Sequence, residues 1–279
     1  MNILIMARFT FKEASRRKIA VTALLLGLAF LFLYSLGFHY IRQQTMNVRT
    51  IYTPEVFYRQ FYNLTLIASL YVVNFLTIAM AALVTTDTLS GEISSGTIQS
   101  LLARPVRRSE IVAGKWLGYA LLIGLYVLLM AGGVILSTWL QSGYLPPNIL
   151  PGLGLMLLEG LMMVSITVAC SSTFSTLATG GVVFGLYGVA FVGGWVEQIG
   201  SYMNSVTAVQ IGVVSSLLMP SEALWRRAAY EMTSPLVSVM AGGPFTSRSV
   251  PSPLMVAYAG FYLLLALFIA IRRFGKRDL

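Results

Sequence analysis

QFYNLTLIASLYVVNFLTIAMAALVTT, residues 60–86, contains no Asp, Glu, Lys or Arg. About 20 mostly apolar residues in a helix cross the hydrocarbon of a bilayer, so this stretch is long enough to span one. The chain repeats the pattern. Residues 19–41, 116–158, 160–196 and 249–271 are likewise free of charge. QSGYLPPN, residues 141–148, breaks the second of these with turn residues. A third span therefore ends near Leu140 and a fourth begins near Leu150. The polar run Ser171–Thr176 divides the next stretch, so a fifth span starts near Leu177. The expected fold is an all-α integral membrane protein with six transmembrane helices in one domain over residues 1–279.

Composition agrees. The chain of 279 residues is 57% apolar and 10% charged, whereas soluble domains are about a quarter charged. Disorder is excluded, because it needs low hydrophobicity and high charge. A soluble globule is excluded too, because ten acids and nineteen bases cannot cover its surface. The net charge of +9 therefore points to membrane edges and anionic lipid, with no call for nucleic acid. The lone Cys170 rules out an intrachain disulfide, and with the lone His39 it leaves no His/Cys metal centre.

Lys and Arg gather on the cytoplasmic side of membrane proteins. Segments 1–18, 87–115, 171–176 and 272–279 carry 13 of them, and the segments on the other side carry 6. All four lysines fall in the first group. Both termini are expected in the cytoplasm, and the first span is read as retained. In segment 1–18, Met6, Phe9 and Thr10 share one helical face and Arg8, Lys12, Ser15 and Arg16 another. That suits an interfacial helix on the inner leaflet; a merely basic leader is the alternative. The external segment, 197–250, holds an apolar run at 206–219, re-entrant or interfacial, and a helix over 222–232 capped by Ser221. There Glu222 and Arg226 are spaced as an i,i+4 pair.

Between the second and third spans lies DTLSGEISSGTIQSLLARPVRRSEIVAGK, residues 87–115. Ser94 or Ser95 can cap a short helix over 96–103, Pro105 ends it, and Ser109 caps the next helix. Ile98, Leu101 and Leu102 share a face of the short helix. A capped, part-apolar helix between two spans looks like a peg for a cytoplasmic partner. A solvated hairpin whose arginines only enforce topology is the plainer reading.

Glu92, Ser95-Gly96-Thr97, Leu101-Leu102, Pro105, Arg108 and Gly114-Lys115 resemble the cytoplasmic coupling loop of type-2 ABC transporter permeases, and Phe274–Leu279 resembles the tail of that family. The resemblance implies a membrane-spanning exporter subunit in the cytoplasmic membrane of a prokaryote. Its implied partners are two cytoplasmic ATPase subunits and a second permease chain, identical or homologous. ATP and Mg would be bound by the partner ATPase, with no cofactor in this chain. The resemblance marks Glu92, Gly96, Thr97, Leu101, Leu102, Pro105, Arg108 and Lys115 as coupling residues; Arg104 and Arg107 join them by location. No Gly-x-x-x-x-Gly-Lys-Ser/Thr phosphate loop occurs, so ATP hydrolysis is expected elsewhere. No His-Glu-x-x-His pair or Gly-x-Ser-x-Gly elbow supports an intramembrane hydrolase.

Glu159 lies mid-way along the fourth span, where an acid is expensive. It is a candidate for the translocation path or a neutral structural carboxyl. Tyr71 and Asn74 are further path candidates, with a helix–helix hydrogen bond as the simpler role for Asn74. Gly181, Gly185 and Gly194 allow close backbone approach, either at a permease–permease seam, as the family resemblance suggests, or within the chain. Two rivals stay open: an ABC-type mechanotransmitter acting on a periplasmic or lipid partner, and a self-contained channel or ion-coupled carrier using Glu159.

Overall fold

The computed structural model describes residues 3–47, 55–96, 107–234 and 249–276. Its elements are α1 (Ile3–Arg16), α2 (Lys18–Asn47), α3 (Glu55–Thr85), α4 (Ser90–Ser94), α5 (Arg108–Ser142), α6 (Ile149–Ser171), α7 (Thr176–Tyr202), α8 (Val206–Leu218), α9 (Ser221–Met232) and α10 (Pro253–Gly275). No strand occurs among the described residues. Six helical stretches are long and apolar enough to cross a membrane: Lys18–Gln44, Tyr58–Ser94, Arg108–Ser142, Ile149–Ser171, Thr176–Tyr202 and Pro253–Gly275. They match the six spans read from the sequence, with ends displaced by several residues.

The central helix is α5, against which α1, α2, α3, α6 and α10 all pack. The Tyr34 and Thr138 hydroxyls share a 2.6 Å hydrogen bond that fastens α2 to it. Gly143, at φ 69°, ends α5 with its amide bonded to the Trp139 carbonyl, and the chain turns into α6. Much of the surface of α2, α7 and α10 stays exposed and apolar, as suits helices facing lipid or another protein.

α1 packs along the first turns of α5, where Gly114 and Gly118 let Met6 and Thr10 come close. Met6, Thr10 and Ala14 are buried, whereas Phe9 is 64% exposed beside the exposed Leu4 and Ile5. Phe9 therefore does not join Met6 and Thr10 on a common face. The buried stripe follows an i, i+4, i+8 line that drifts away from Phe9.

After α7 the chain doubles back. α8, about 20 Å long at 1.5 Å per residue, packs against α7, and α9 leaves it at a bend of 107°. The pair forms a re-entrant hairpin or broken span; the surface helix expected at 222–232 is instead buried on most sides, from Glu222 to Arg226 and at Ala228 and Ala229. It begins one residue early, so Ser221 sits inside it and Pro220 takes the cap position. Likewise Ser109 lies inside the first turn of α5, and Arg107 is its N-cap. α7 extends to Tyr202 and so takes in Glu197, which the sequence reading had assigned to the external segment.

Candidate functional site

The end of the bundle that holds α1, α4 and the C-terminus of α10 is referred to as the loop end. There the chain leaves α3 at Thr85 and turns into α4. Ser171, the last residue of α6, accepts hydrogen bonds on its hydroxyl from the amides of Leu89 (3.1 Å) and Ser90 (3.0 Å). It donates in turn to Ser90 Oγ at 3.3 Å. Thr176, at the start of α7, shares a hydrogen bond with Ser90 Oγ and donates to Asp87 Oδ1 at 3.0 Å. The polar run that divides α6 from α7 is thus the anchor of the α3–α4 turn.

Lys115 completes the anchor from α5. Its ammonium donates to the Thr88 carbonyl at 3.0 Å and pairs with Glu92 of α4. The Lys115 side chain is 3% exposed and that of Glu92 15%. An ammonium so far from water needs such partners. Arg108, where the loop re-enters the bundle, donates to the carbonyls of Phe274 (3.4 Å) and Gly275 (3.2 Å) at the end of α10. A cation there also meets the negative end of the helix dipole. Arg17 reaches Asp87 at 3.7 Å and Glu13 at 2.7 Å; these partly exposed pairs contribute little.

Gly96 was expected inside a helix. It sits instead at φ 70° just beyond α4, with nothing within 4 Å of its missing side chain, in a region that L-residues avoid. Ser94 belongs to α4, and Ser95 is its C-cap. Thr97, Leu101, Leu102, Arg104 and Pro105, with the rest of the expected 96–103 helix, lie outside the described residues. Arg107 is exposed at the N-cap of α5. Among the coupling candidates, then, Glu92 and Lys115 are brought together, while Arg108 is directed to α10. Residues 87–96 are thus bonded to α5, α6 and α7, and Arg108 ties the start of α5 to the end of α10.

A second polar group fills the interior. Asn74 of α3 donates to Glu159 Oε2 of α6 at 3.0 Å, and Glu159 is 1% exposed. Glu159 Oε1 and Asn74 Oδ1 are both buried without a hydrogen-bond partner among the described residues. The Tyr71 hydroxyl accepts from Trp195 Nε1 at 3.0 Å and donates to Glu222 Oε1 at 3.5 Å. Rings surround Tyr71: Phe191 stacks on it at 6.4 Å, Trp195 meets it edge-on at 6.3 Å, and Trp225 lies 5.2 Å away. All three path candidates are therefore inside the bundle, each joined to another helix.

Glu197 and Arg226 were not recognised as partners from the sequence. They form a buried ion pair: Arg226 NH2 donates to Glu197 Oε2 at 2.8 Å, and NH1 lies 2.6 Å from Oε1 without hydrogen-bond geometry, with each side chain 4% exposed. Ser249 donates to Glu197 Oε1 at 2.7 Å. Arg226 thus pairs with Glu197 of α7, where the i,i+4 spacing had pointed to Glu222. Glu222 instead turns toward Gly194, where an added Cβ would stand 2.1 Å from Glu222 Cγ. Gly194 thus packs against Glu222 within the chain, one of the two roles its small size allowed. Among the described residues, nothing lies within 4 Å of a Cβ position at Gly181 or Gly185.

A family model described as ABC-2 family transporter protein matches residues 11–279. No curated protein matches the chain.

Proposed function

The chain belongs to the ABC-2 transporter family, and we propose that it is the membrane-spanning permease of an ATP-driven exporter whose ATPase docks on the loop at residues 87–115. Membership makes it a membrane transport subunit, in a family that associates with ATPase subunits and is usually dimeric. The observation that carries the finer reading is the anchoring of α4. Lys115, Ser171 and Thr176 bind the loop base to three spanning helices, α5, α6 and α7, as a lever needs.

In this reading two cytoplasmic ATPases bind and hydrolyse ATP with Mg, and their closure pushes the segment beyond Gly96. The Lys115–Glu92 pair and the Ser171 hydroxyl pass the push to α5 and α6, and the spans tilt as near-rigid bodies between two states. Tyr71, Asn74 and Glu159 line the substrate path between α3, α6 and α7. A second permease packs on α7, where Gly181 and Gly185 face open space. Both termini lie in the cytoplasm of a prokaryote, as the Lys and Arg asymmetry favours.

The test is co-purification and coupled turnover. The tagged chain should hydrolyse no ATP alone and should retain a soluble ATPase from co-expression. Glu92→Lys should break coupling at equal membrane abundance, and Glu92→Lys with Lys115→Glu should restore part of it. Transport by the purified chain with no ATPase present would favour the carrier or channel instead.

A further inference from the structure

α7 and α10 both pack on α6, and between them, toward the loop end, a groove of about 360 Å³ opens over the α6 surface. Ile166 and Cys170 of α6, Leu186 of α7, and Tyr262, Leu265 and Ile269 of α10 line it. It continues into a wider mouth of about 680 Å³, lined by Ser172, Thr173, Arg272, Arg273 and Lys276. Thr173, Leu265, Ile269 and Arg273 belong to both, so the apolar groove and the basic mouth form one cavity.

Arg272, Arg273 and Lys276 are exposed and make no side-chain hydrogen bond or ion pair among the described residues. Among the described residues, no Asp or Glu lines either part of the cavity. The negative end of the α10 dipole accounts for cations in its last turn. It does not account for the apolar groove beneath them or for the turn hydroxyls across the mouth.

We infer that this cavity binds one anionic glycerophospholipid, its phosphate held by Arg272, Arg273 and Lys276 and an acyl chain laid along the groove. Guanidinium forks and ammonium groups suit phosphate oxygens, and basic pockets between spanning helices recognise anionic headgroups. The length fits. From Tyr262 to Arg272 is ten residues of α10, about 15 Å at 1.5 Å per residue, or about half the 30 Å hydrocarbon thickness of a bilayer. The groove is therefore one leaflet deep and ends where a headgroup stands. A soluble anion would use the mouth and leave the groove empty. The inference depends on the chain lying in a bilayer and is independent of any ATPase.

Cys170 is the only cysteine of the chain and lines the groove, so its alkylation reports occupancy. The purified full chain, in neutral detergent, is treated with a small maleimide while phosphatidylglycerol, phosphatidylcholine or glycerol phosphate is added. Phosphatidylglycerol should slow labelling at least tenfold, and native mass spectrometry should retain one lipid per chain. Phosphatidylcholine and glycerol phosphate should leave the rate unchanged. With roughly fivefold in affinity per basic charge, Arg273→Gln should raise the half-protecting phosphatidylglycerol concentration about fivefold. Removing all three charges should raise it about a hundredfold. The single variant keeps the test decisive if the triple variant fails to fold. Equal protection by phosphatidylcholine, protection by glycerol phosphate, no protection by phosphatidylglycerol, or unchanged behaviour of Arg273→Gln would each overturn the assignment.

Discussion

At the loop end Lys115 meets Glu92; toward the other end Arg226 meets Glu197. The first pair joins an ammonium to one carboxylate and one backbone carbonyl, and its acid keeps 15% of its surface. The second joins a planar guanidinium to both oxygens of a carboxylate that is 4% exposed and bonded again by Ser249. An ammonium is a rotatable point charge, whereas a guanidinium fork holds one geometry. In the proposed coupling the loop pair would follow a moving α4 without breaking, while the far pair holds α9 on α7. On that proposal, buried charge serves motion at one end and registry at the other.

Substitutions can break that contrast. Arg226→Ala strands a buried carboxylate and should destabilise the chain by about 3–5 kcal/mol, read as lost thermal stability in detergent. Adding Glu197→Ala should recover part of the loss. If Arg226→Ala were harmless, the fixed-registry reading would fail. Lys115→Met removes a donor from Thr88 and Glu92, but Glu92 can turn to water, so the expected loss is about 1–3 kcal/mol. Its larger effect should be on ATP-coupled transport at matched abundance.

Gly194→Ala forces Cβ against Glu222 and should destabilise by about 1–3 kcal/mol, the usual range for overpacking. Gly96→Ala meets no neighbour and should lose only about 1–2 kcal/mol for its left-handed backbone, detectable as weakened coupling. Gly181→Ala, facing open space, should change the stability of the isolated chain by less than about 0.5 kcal/mol. Any effect it has should appear only in chain–chain association, measured by cross-linking.

Much of this was legible beforehand. Uncharged length, with the turn residues at 141–148 and the polar run at 171–176, located the six helices, because the hydrocarbon tolerates few charges in any span. Glu92 and Lys115 were singled out together, although nothing in their spacing of 23 residues said that they touch. Glu197 was missed for a physical reason: charge was used to mark where a span stops, and a paired charge inside a helix defeats that rule. Glu222 and Arg226 were read as a surface pair because they obey the i,i+4 spacing. Burial decided otherwise, since a buried Arg226 needs a buried carboxylate beside it, and Glu197 offers one from another helix. Ser221 fell one position and Ser109 two positions past the cap, and a shift that small removes a cap.

The Glu197–Arg226 pair also sets an order of synthesis. The two residues are 29 apart in the chain, and translation at about 5–20 residues per second separates them by roughly 1.5–6 s. Through that interval α7 carries an acid whose partner has not been made. It cannot settle in hydrocarbon as a finished span, and its burial waits for α8 to double back and for α9 to deliver Arg226. The three helices are thus expected to enter the membrane together. A ribosome stalled between residues 202 and 226 would leave α7 held near the translocon with Glu197 still in contact with water.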